Sequence, residues 1–397
     1  MKVHIISLGC PKNLTDTEVI MGKLVSSGYE ITLNPKEADI IIINTCAFLK
    51  SARDEVKQTV KEMRKHKKEI YLAGCFPKLL PKVKLPGVKG TINSLGLFDY
   101  HTPRVKATPP WFAYVKIAEG CNNKCTYCLI PKIRGRLKVR PVHDILSEVK
   151  LLVKKGVKEI IYVAQDTTAH PKLAEILQKT CKIKGISWIR IMYAHPKHLT
   201  DKIVEIMAQE KKIVKYLDLP IQHVCDKILT RMNRRYTRQD LEKLIAKIRG
   251  RIPKIALRTS VIVGFPGENE ADFAELFDFI KLIKFDKLGV FGYCREKGTP
   301  AYYKRGQVAA QAKKSRVEKL MGLQARISKG KNKKLLGKTL ETIIEGTGVG
   351  RTYRDAPEID GQVFFSDPKS TTPGKIVRTH ITGARVHDLI GALIDRT

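Results

Sequence analysis

Three cysteines in the run Gly120-Cys121-Asn122-Asn123-Lys124-Cys125-Thr126-Tyr127-Cys128 follow the strand-like segment Trp111–Ile117. Cysteine thiolates hold iron–sulfur clusters, and a cluster bound by these three keeps one iron free for a ligand that is not protein. A zinc knuckle or a disulfide pair is the alternative, but no fourth Cys or His lies nearby to complete a tetrahedral zinc site. Three more cysteines each close a strand-like run: Cys10 in Leu-Gly-Cys-Pro-Lys-Asn, Cys46 in Asn-Thr-Cys-Ala-Phe and Cys75 in Ala-Gly-Cys. Ligands of open parallel α/β sheets bind outside the carboxyl ends of the strands. These thiols therefore converge if their strands share such a sheet, and a second three-Cys cluster is expected. The alternative is small buried hydrophobes. Cys181, Cys225 and Cys294 match no ligand pattern and read as ordinary thiols.

The pattern between the cysteines supplies the strands. Residues 1–105 read as an N-terminal open parallel α/β sheet. Val3–Leu8 is a short apolar strand, Thr15–Ser27 has helical spacing with Thr15 or Asp16 as N-cap and Gly28 past its end, and Ala38–Asn44 is a buried strand. A helix over Ala52–Lys65 and a strand over Glu69–Ala73 follow. Residues 106–303 carry six strand-like runs with helical segments between them: Trp111–Ile117, Lys158–Ala164, Ser187–Tyr193, Val214–Leu219, Ile255–Val263 and Lys287–Tyr293. They suit a partial TIM-like (β/α)6 barrel with its site at the C-terminal rim. Polar clusters fall at that rim, and Gln165, Asp166, Gly264 and Glu268 are the candidate cofactor contacts, a turn or helix cap being the alternative for each.

Residues 304–338 hold 12 Lys or Arg and one acidic residue, with helical spacing through Val317, Leu320, Leu323 and Ile327. This basic linker helix either touches a phosphate backbone or faces solvent. From 339 to 397 short β-like runs, Glu341–Glu345, Gln362–Phe365 and Lys375–Thr382, predict a small antiparallel β-barrel.

A chain of 397 residues has room for two or three domains. Lys and Arg number 74 against 39 Asp and Glu, a formal charge of +35 that favours RNA or a ribosome as neighbour, unless it reflects a Lys-rich proteome. Val3–Leu8 is too short for a secretory h-region, and no stretch approaches the ~20 apolar residues of a membrane span. A cytoplasmic protein with reduced or metal-bound cysteines and no membrane contact is expected.

C-x3-C-x2-C after a strand resembles the signature of the radical S-adenosylmethionine (SAM) enzymes, in which SAM chelates the open iron and reductive cleavage of its sulfonium yields a 5′-deoxyadenosyl radical. Three scattered cysteines, this motif and a C-terminal barrel together resemble the radical SAM methylthiotransferases over essentially the whole chain. The likeness is carried by Ser7-Leu8-Gly9-Cys10-Pro11-Lys12-Asn13-Leu14, Val163-Ala164-Gln165-Asp166-Thr167-Thr168, the run from Arg258 to Glu268, and Asp355-Ala356-Pro357-Glu358-Ile359-Asp360-Gly361. The first and last look like the branch that methylthiolates an aspartate β-carbon in protein twelve of the small ribosomal subunit; the middle is more similar to tRNA-modifying relatives. The resemblance implies two 4Fe–4S clusters, an auxiliary one on Cys10, Cys46 and Cys75 and a SAM-cleaving one on Cys121, Cys125 and Cys128. It also implies SAM as cofactor, Tyr127 near its adenine unless that ring is core, and a TRAM-like barrel. Ribosomal protein twelve, free or on the ribosome, and a reducing electron donor such as flavodoxin are the implied partners, with RNA contact through the basic surface. The sequence departs from the family in a short Cys75–Cys121 stretch and a loosely similar tail, Gly383–Leu389.

Three functions compete: ribosomal-protein methylthiotransferase, tRNA adenosine methylthiotransferase, and a non-catalytic iron–sulfur RNA-binding or assembly protein. The open-site cysteine count disfavours the third. Residues 339–397 hold seven Lys or Arg and eight Asp or Glu, whereas a barrel gripping tRNA should be basic. Asp355, Glu358 and Asp360 are accordingly expected to face a basic protein partner, which favours the first.

Overall fold

Ile40-Ile41-Ile42-Ile43 has no polar alternation, as suits a strand covered on both faces. A computed structural model, describing residues 1–394, makes it the middle of a five-stranded parallel sheet. That sheet lies in the first of two compact units, Met1–Thr180 with Cys294–Tyr302. Its strands β1 (Lys2–Ser7), β2 (Glu30–Ile31), β3 (Ile40–Thr45), β4 (Glu69–Gly74) and β5 (Val88–Ile92) run in the order β2-β1-β3-β4-β5. Val3, Ile42 and Ala73 pack with Ile20 of helix α1 (Pro11–Ser26), whereas Ile41, Ile43, Ile70 and Leu72 pack with Val56 and Val60 of α2 (Lys50–Met63). Helix α1 begins at Pro11, not near Thr15, with Cys10 as its N-cap. Proline favours the first helical position, where its missing N–H costs nothing.

Downstream in the same unit, β6 (Phe112–Lys116) leads into a small antiparallel ladder of β7 (Ala118–Glu119) with β8 (Lys138–Val139), and β9 (Glu159–Val163) returns parallel to β6. The ladder closes the base of the loop that holds Cys121, Cys125 and Cys128. Two short helices matter for the site: α3 (Cys75–Leu79) after β4, and α4 (Ile130–Arg134) inside that loop.

The second unit is Cys181–Tyr293 with the chain from Tyr303 onward. Its strands β10 (Trp188–Ile191), β11 (Tyr216–Asp218), β12 (Ala256–Val263) and β13 (Lys287–Gly292) complete the six expected strand runs, with β11, β12 and β13 parallel neighbours. Capping boxes at Thr237 with Asp240 and at Asn269 with Asp272 start the helices Arg238–Arg251 and Glu270–Ile283. The basic helix spans Ala310–Lys333; Leu320 and Leu323 are buried, while Arg326, Lys329 and Lys333 are exposed. Among the described residues no helix is long and apolar enough to cross a membrane.

The C-terminal strands β14 (Thr339–Gly346), β15 (Val349–Thr352), β16 (Val363–Phe365), β17 (Ile376–Ala384) and β18 (Leu389–Leu393) close a barrel in the order β14-β15-β16-β18-β17. It is not wholly antiparallel as expected, because β16 pairs β18 in parallel. A ring with an odd number of strands cannot alternate direction throughout.

The acidic cluster expected to meet a partner is a second correction. Asp360 Oδ2 accepts the Tyr216 hydroxyl at 2.7 Å and the Ala356 N–H at 2.9 Å, and Asp360 Oδ1 lies 3.5 Å from Arg258 Nε. Asp355 is buried, accepting from Lys287 and from the Thr352 hydroxyl. Only Glu358 is exposed. The cations that answer these two aspartates stand on β12 and β13, outside the segment whose charges were counted.

Candidate functional site

The carboxyl ends of β1, β3 and β4 are neighbours in the first sheet, and each delivers a cysteine. Cys10 caps α1, Cys46 follows β3 directly, and Cys75 opens α3. Gly9 permits the first two to meet: its φ is +95°, and a Cβ there would stand 2.7 Å from Cys46 Cβ and 3.1 Å from its Sγ. Burial pushes the Cys75 thiol up to about 11, with the Cys46 and Cys10 charges adding to it and Arg134 opposing. Cys46 is likewise raised by burial. For Cys10 burial is outweighed by the Lys12 and Arg134 charges and the Asn13 and Lys12 amides, so that thiol is lowered. The structure thus brings these three cysteines to one sheet edge, with Arg134 Nη2 3.2 Å from Cys75 Sγ.

The second triad occupies the loop between β7 and β8. Cys121 N–H donates to the Gly135 carbonyl at 3.1 Å, and Cys128 N–H to the Cys125 carbonyl at 3.2 Å. The sulfurs of Cys121 and Cys128 accept the N–H groups of Asn123 and Ile130, each at 3.4 Å. Burial raises the Cys121 thiol, and the Asp166 and Cys125 charges push the same way. Tyr127 is half-buried within this loop. All nine cysteines are free thiols.

Two predicted rim residues brace the same loop. Gln165 Nε2 donates to Glu119 Oε1 at 3.1 Å, at the ladder's edge. Asp166 accepts the Asn123 side-chain amide with Oδ2, and with Oδ1 the Thr168 hydroxyl at 2.9 Å and the Ala169 N–H at 3.1 Å. Gly264 and Glu268 belong to the second unit. At Gly264 φ is +70° and a Cβ would stand 2.3 Å from Lys313 Cγ, so the turn itself requires glycine. Glu268 closes that turn, accepting the Phe265 N–H at 3.0 Å and Arg316 at 2.8 Å; burial nevertheless raises its carboxyl.

Sequence reasoning missed Arg134. Its Nη1 donates to Asp16 at 2.7 Å and Glu119 at 2.9 Å, and its Nη2 to Asn13 Oδ1 and to Cys75 Sγ, both at 3.2 Å. Lys116 joins the network by bonding Asp16 and, at 2.8 Å, Glu119. No local signal pointed to Arg134, because only the fold shows that Asp16 is buried on α1 and needs a cation. The partners themselves are too distant in sequence to read.

Three family models match the chain: the radical SAM superfamily over residues 115–280, a family described as uncharacterized protein family UPF0004 over residues 2–87, and the TRAM domain over residues 336–394. The chain is 42% identical over 441 residues to ribosomal protein uS12 methylthiotransferase RimO of Pelotomaculum thermopropionicum, covering 99% of each. The RimO of Geobacter sulfurreducens is 41% identical, covering 99% of this chain and 98% of that one. Among solved structures, the radical S-adenosylmethionine methyltransferase TsrM of Kitasatospora setae, with tryptophan substrate and a SAM analog bound, matches with a TM-score of 0.55. That match covers 94% of this chain and 81% of TsrM at 12% identity, and is a likeness of fold.

Proposed function

Because the chain belongs to the radical SAM methylthiotransferases of the RimO family, we propose that it replaces a hydrogen on an aspartate β-carbon of ribosomal protein uS12 with a methylthio group. The observation that carries this reading is the pair of cysteine triads within one compact unit, one at the carboxyl ends of three neighbouring strands and one in a single loop. A sulfur-only donor set, with Gly9 leaving the space beside Cys46 and the Arg134 guanidinium on Cys75 Sγ, fits a cluster. Cys10, Cys46 and Cys75 would hold the auxiliary 4Fe–4S cluster, and Cys121, Cys125 and Cys128 the second. When bound, the clusters would relay the reducing donor's electron and hold the sulfur, and SAM would supply both the methyl group and the radical that removes the hydrogen.

The chain's own residues bind and orient. Three thiols per site leave room for one non-protein ligand, for SAM at the second triad. Gln165 and Asp166 hold the loop of that triad by hydrogen bonds, so their service to SAM is mainly through loop position. Tyr127 offers a half-buried ring beside the same cysteines, and Gly264 with Glu268 shapes a turn that we assign to SAM contact. Four segments, 1–105, 106–303, 304–338 and 339–397, are the functional divisions, a reading supported by the three family-model matches. A reducing donor such as flavodoxin serves as electron source in a cytoplasmic setting. Arg326, Lys329 and Lys333 form an exposed basic row suited to ribosomal RNA.

With Asp355 and Asp360 inside the protein, barrel charge no longer separates uS12 from tRNA as substrate, and the choice rests on the relatives. Mass spectrometry of small-subunit proteins and tRNA nucleosides from cells with and without this protein tests it. Loss of one methylthio group from uS12, with tRNA nucleosides unchanged, is the expected result; the reverse pattern overturns the proposal.

A further inference from the structure

The reaction as described assigns no task to Arg134, yet its side chain, only 2% exposed, sits between the two triads. Both terminal nitrogens are committed, to two carboxylates, one amide oxygen and one sulfur. Bonds of a guanidinium to carboxylates are charge-assisted and directional, so Asp16 and Glu119 fix the direction in which Nη2 points at Cys75.

The mounting is as specific as the contacts. Helix α4 starts two residues past Cys128, whose sulfur accepts the Ile130 N–H. It ends at Arg134, and the Gly135 carbonyl just beyond accepts the Cys121 N–H. Asn13, which receives Nη2, lies three residues past Cys10 and donates to the Leu8 carbonyl at 2.6 Å. Arg134 is therefore anchored in the loop of one triad and donates to a sulfur of the other.

Charge gives the arrangement its direction. Asp16 and Glu119 are balanced by Lys116 and Arg134 without any contribution from cysteine. Three thiolates add negative charge, and the Arg134 guanidinium, 3.2 Å from Cys75 Sγ, is the cation placed against it. Net charge and hydrogen bonds to the sulfurs set the potential of an iron–sulfur cluster. We propose that Arg134 is a positioning residue for the auxiliary cluster: its bond to Cys75 Sγ holds that ligand in place and raises the cluster's reduction potential. This rests on the assignment of Cys10, Cys46 and Cys75 as cluster ligands.

The test uses full-length protein carrying Cys121→Ala, Cys125→Ala and Cys128→Ala, so that only the auxiliary cluster remains, reconstituted anaerobically and titrated by EPR against reductant. Arg134→Lys keeps the charge and loses the fork. Arg134→Met with Asp16→Asn removes one charge of each sign, which keeps the network neutral and gives a second chance of a folded variant. The double variant should show a lower potential and a several-fold faster loss of iron to a chelator, with Arg134→Lys between it and the parent. An unchanged potential in the cluster that remains makes Arg134 merely structural and overturns the proposal, whatever happens to iron retention. A parent that binds no iron overturns the ligand assignment, and this proposal with it.

Discussion

Asn123 Nδ2 donates to Asp166 Oδ2 over 2.7 Å, tying the cysteine loop between β7 and β8 to the turn that follows β9. The other oxygen of Asp166 caps the short turn Thr167–Ala169, so the carboxylate is held on the side of a buried strand. A loop with little regular structure thereby borrows the rigidity of a parallel sheet. Partners of this kind orient metal-binding residues without touching the metal.

Removing that anchor should weaken the loop's hold on iron. In protein carrying Cys10→Ala, Cys46→Ala and Cys75→Ala, the further change Asp166→Ala is expected to lower iron affinity roughly 10–100-fold, the usual range for lost outer partners. Asp166→Asn, which can still accept the Asn123 amide, should lose less. Chelator competition measures both, and equal retention in all three proteins would show that the cysteines alone order the loop.

The two triads should be separable in iron and in chemistry. Replacing Cys121, Cys125 and Cys128 by Ala is expected to leave about half the iron, since each triad holds its own cluster, and to abolish reductive SAM cleavage. Iron analysis together with an assay for 5′-deoxyadenosine reads both. Retained cleavage would detach the motif from SAM.

Asp360 and Asp355 now carry a stability prediction in place of a binding one. Leaving a buried donor without its acceptor costs about 1–3 kcal/mol. Asp360→Ala strips the acceptor from the Tyr216 hydroxyl and the Ala356 N–H, while Arg258 keeps Asp218 at 2.9 Å, so unfolding stability measured by urea denaturation should fall by an amount in that range. Stability within error of the parent would mean that these carboxylates are solvated after all.

His223 predicts an acid-side loss of stability. Burial, with help from Arg316 and Lys227 and against Asp272, holds it down at about 3 from its ordinary 6.5. The folded protein therefore keeps His223 neutral where the unfolded chain takes up a proton, and stability falls as pH drops below about 6.5 toward 3. His223→Asn should flatten that slope by up to about 1.4 kcal/mol per pH unit, in urea titrations between pH 6.5 and 5. An unaltered slope would place the acid sensitivity elsewhere.

What the sequence made legible was topological. Apolar runs that each end in a cysteine, separated by helical spacing, already require Cys10, Cys46 and Cys75 to share one sheet edge if the strands are parallel, and no side-chain detail enters that step. The six strand runs between Trp111 and Tyr193 and between Val214 and Tyr293 were equally plain, because buried parallel strands are continuous in hydrophobicity. Strands β15 and β18 were not, for glycines interrupt Val349–Thr352 and Leu389–Leu393 and short barrel strands carry little pattern. Long-range ion pairs left no local trace: Arg134 and Asp16 are 118 positions apart. Lys287 and Asp355 mislead for the same reason, since counting charge by segment treats every carboxylate as if it met solvent.

The central claim is that the first triad serves sulfur transfer to uS12 while the second serves SAM cleavage. Reconstituted protein, SAM, sulfide, a reductant and purified uS12 should yield uS12 heavier by one methylthio group in place of hydrogen. The variant Cys10→Ala, Cys46→Ala, Cys75→Ala should form 5′-deoxyadenosine but leave the mass of uS12 unchanged. Methylthiolated uS12 from that variant would contradict the account.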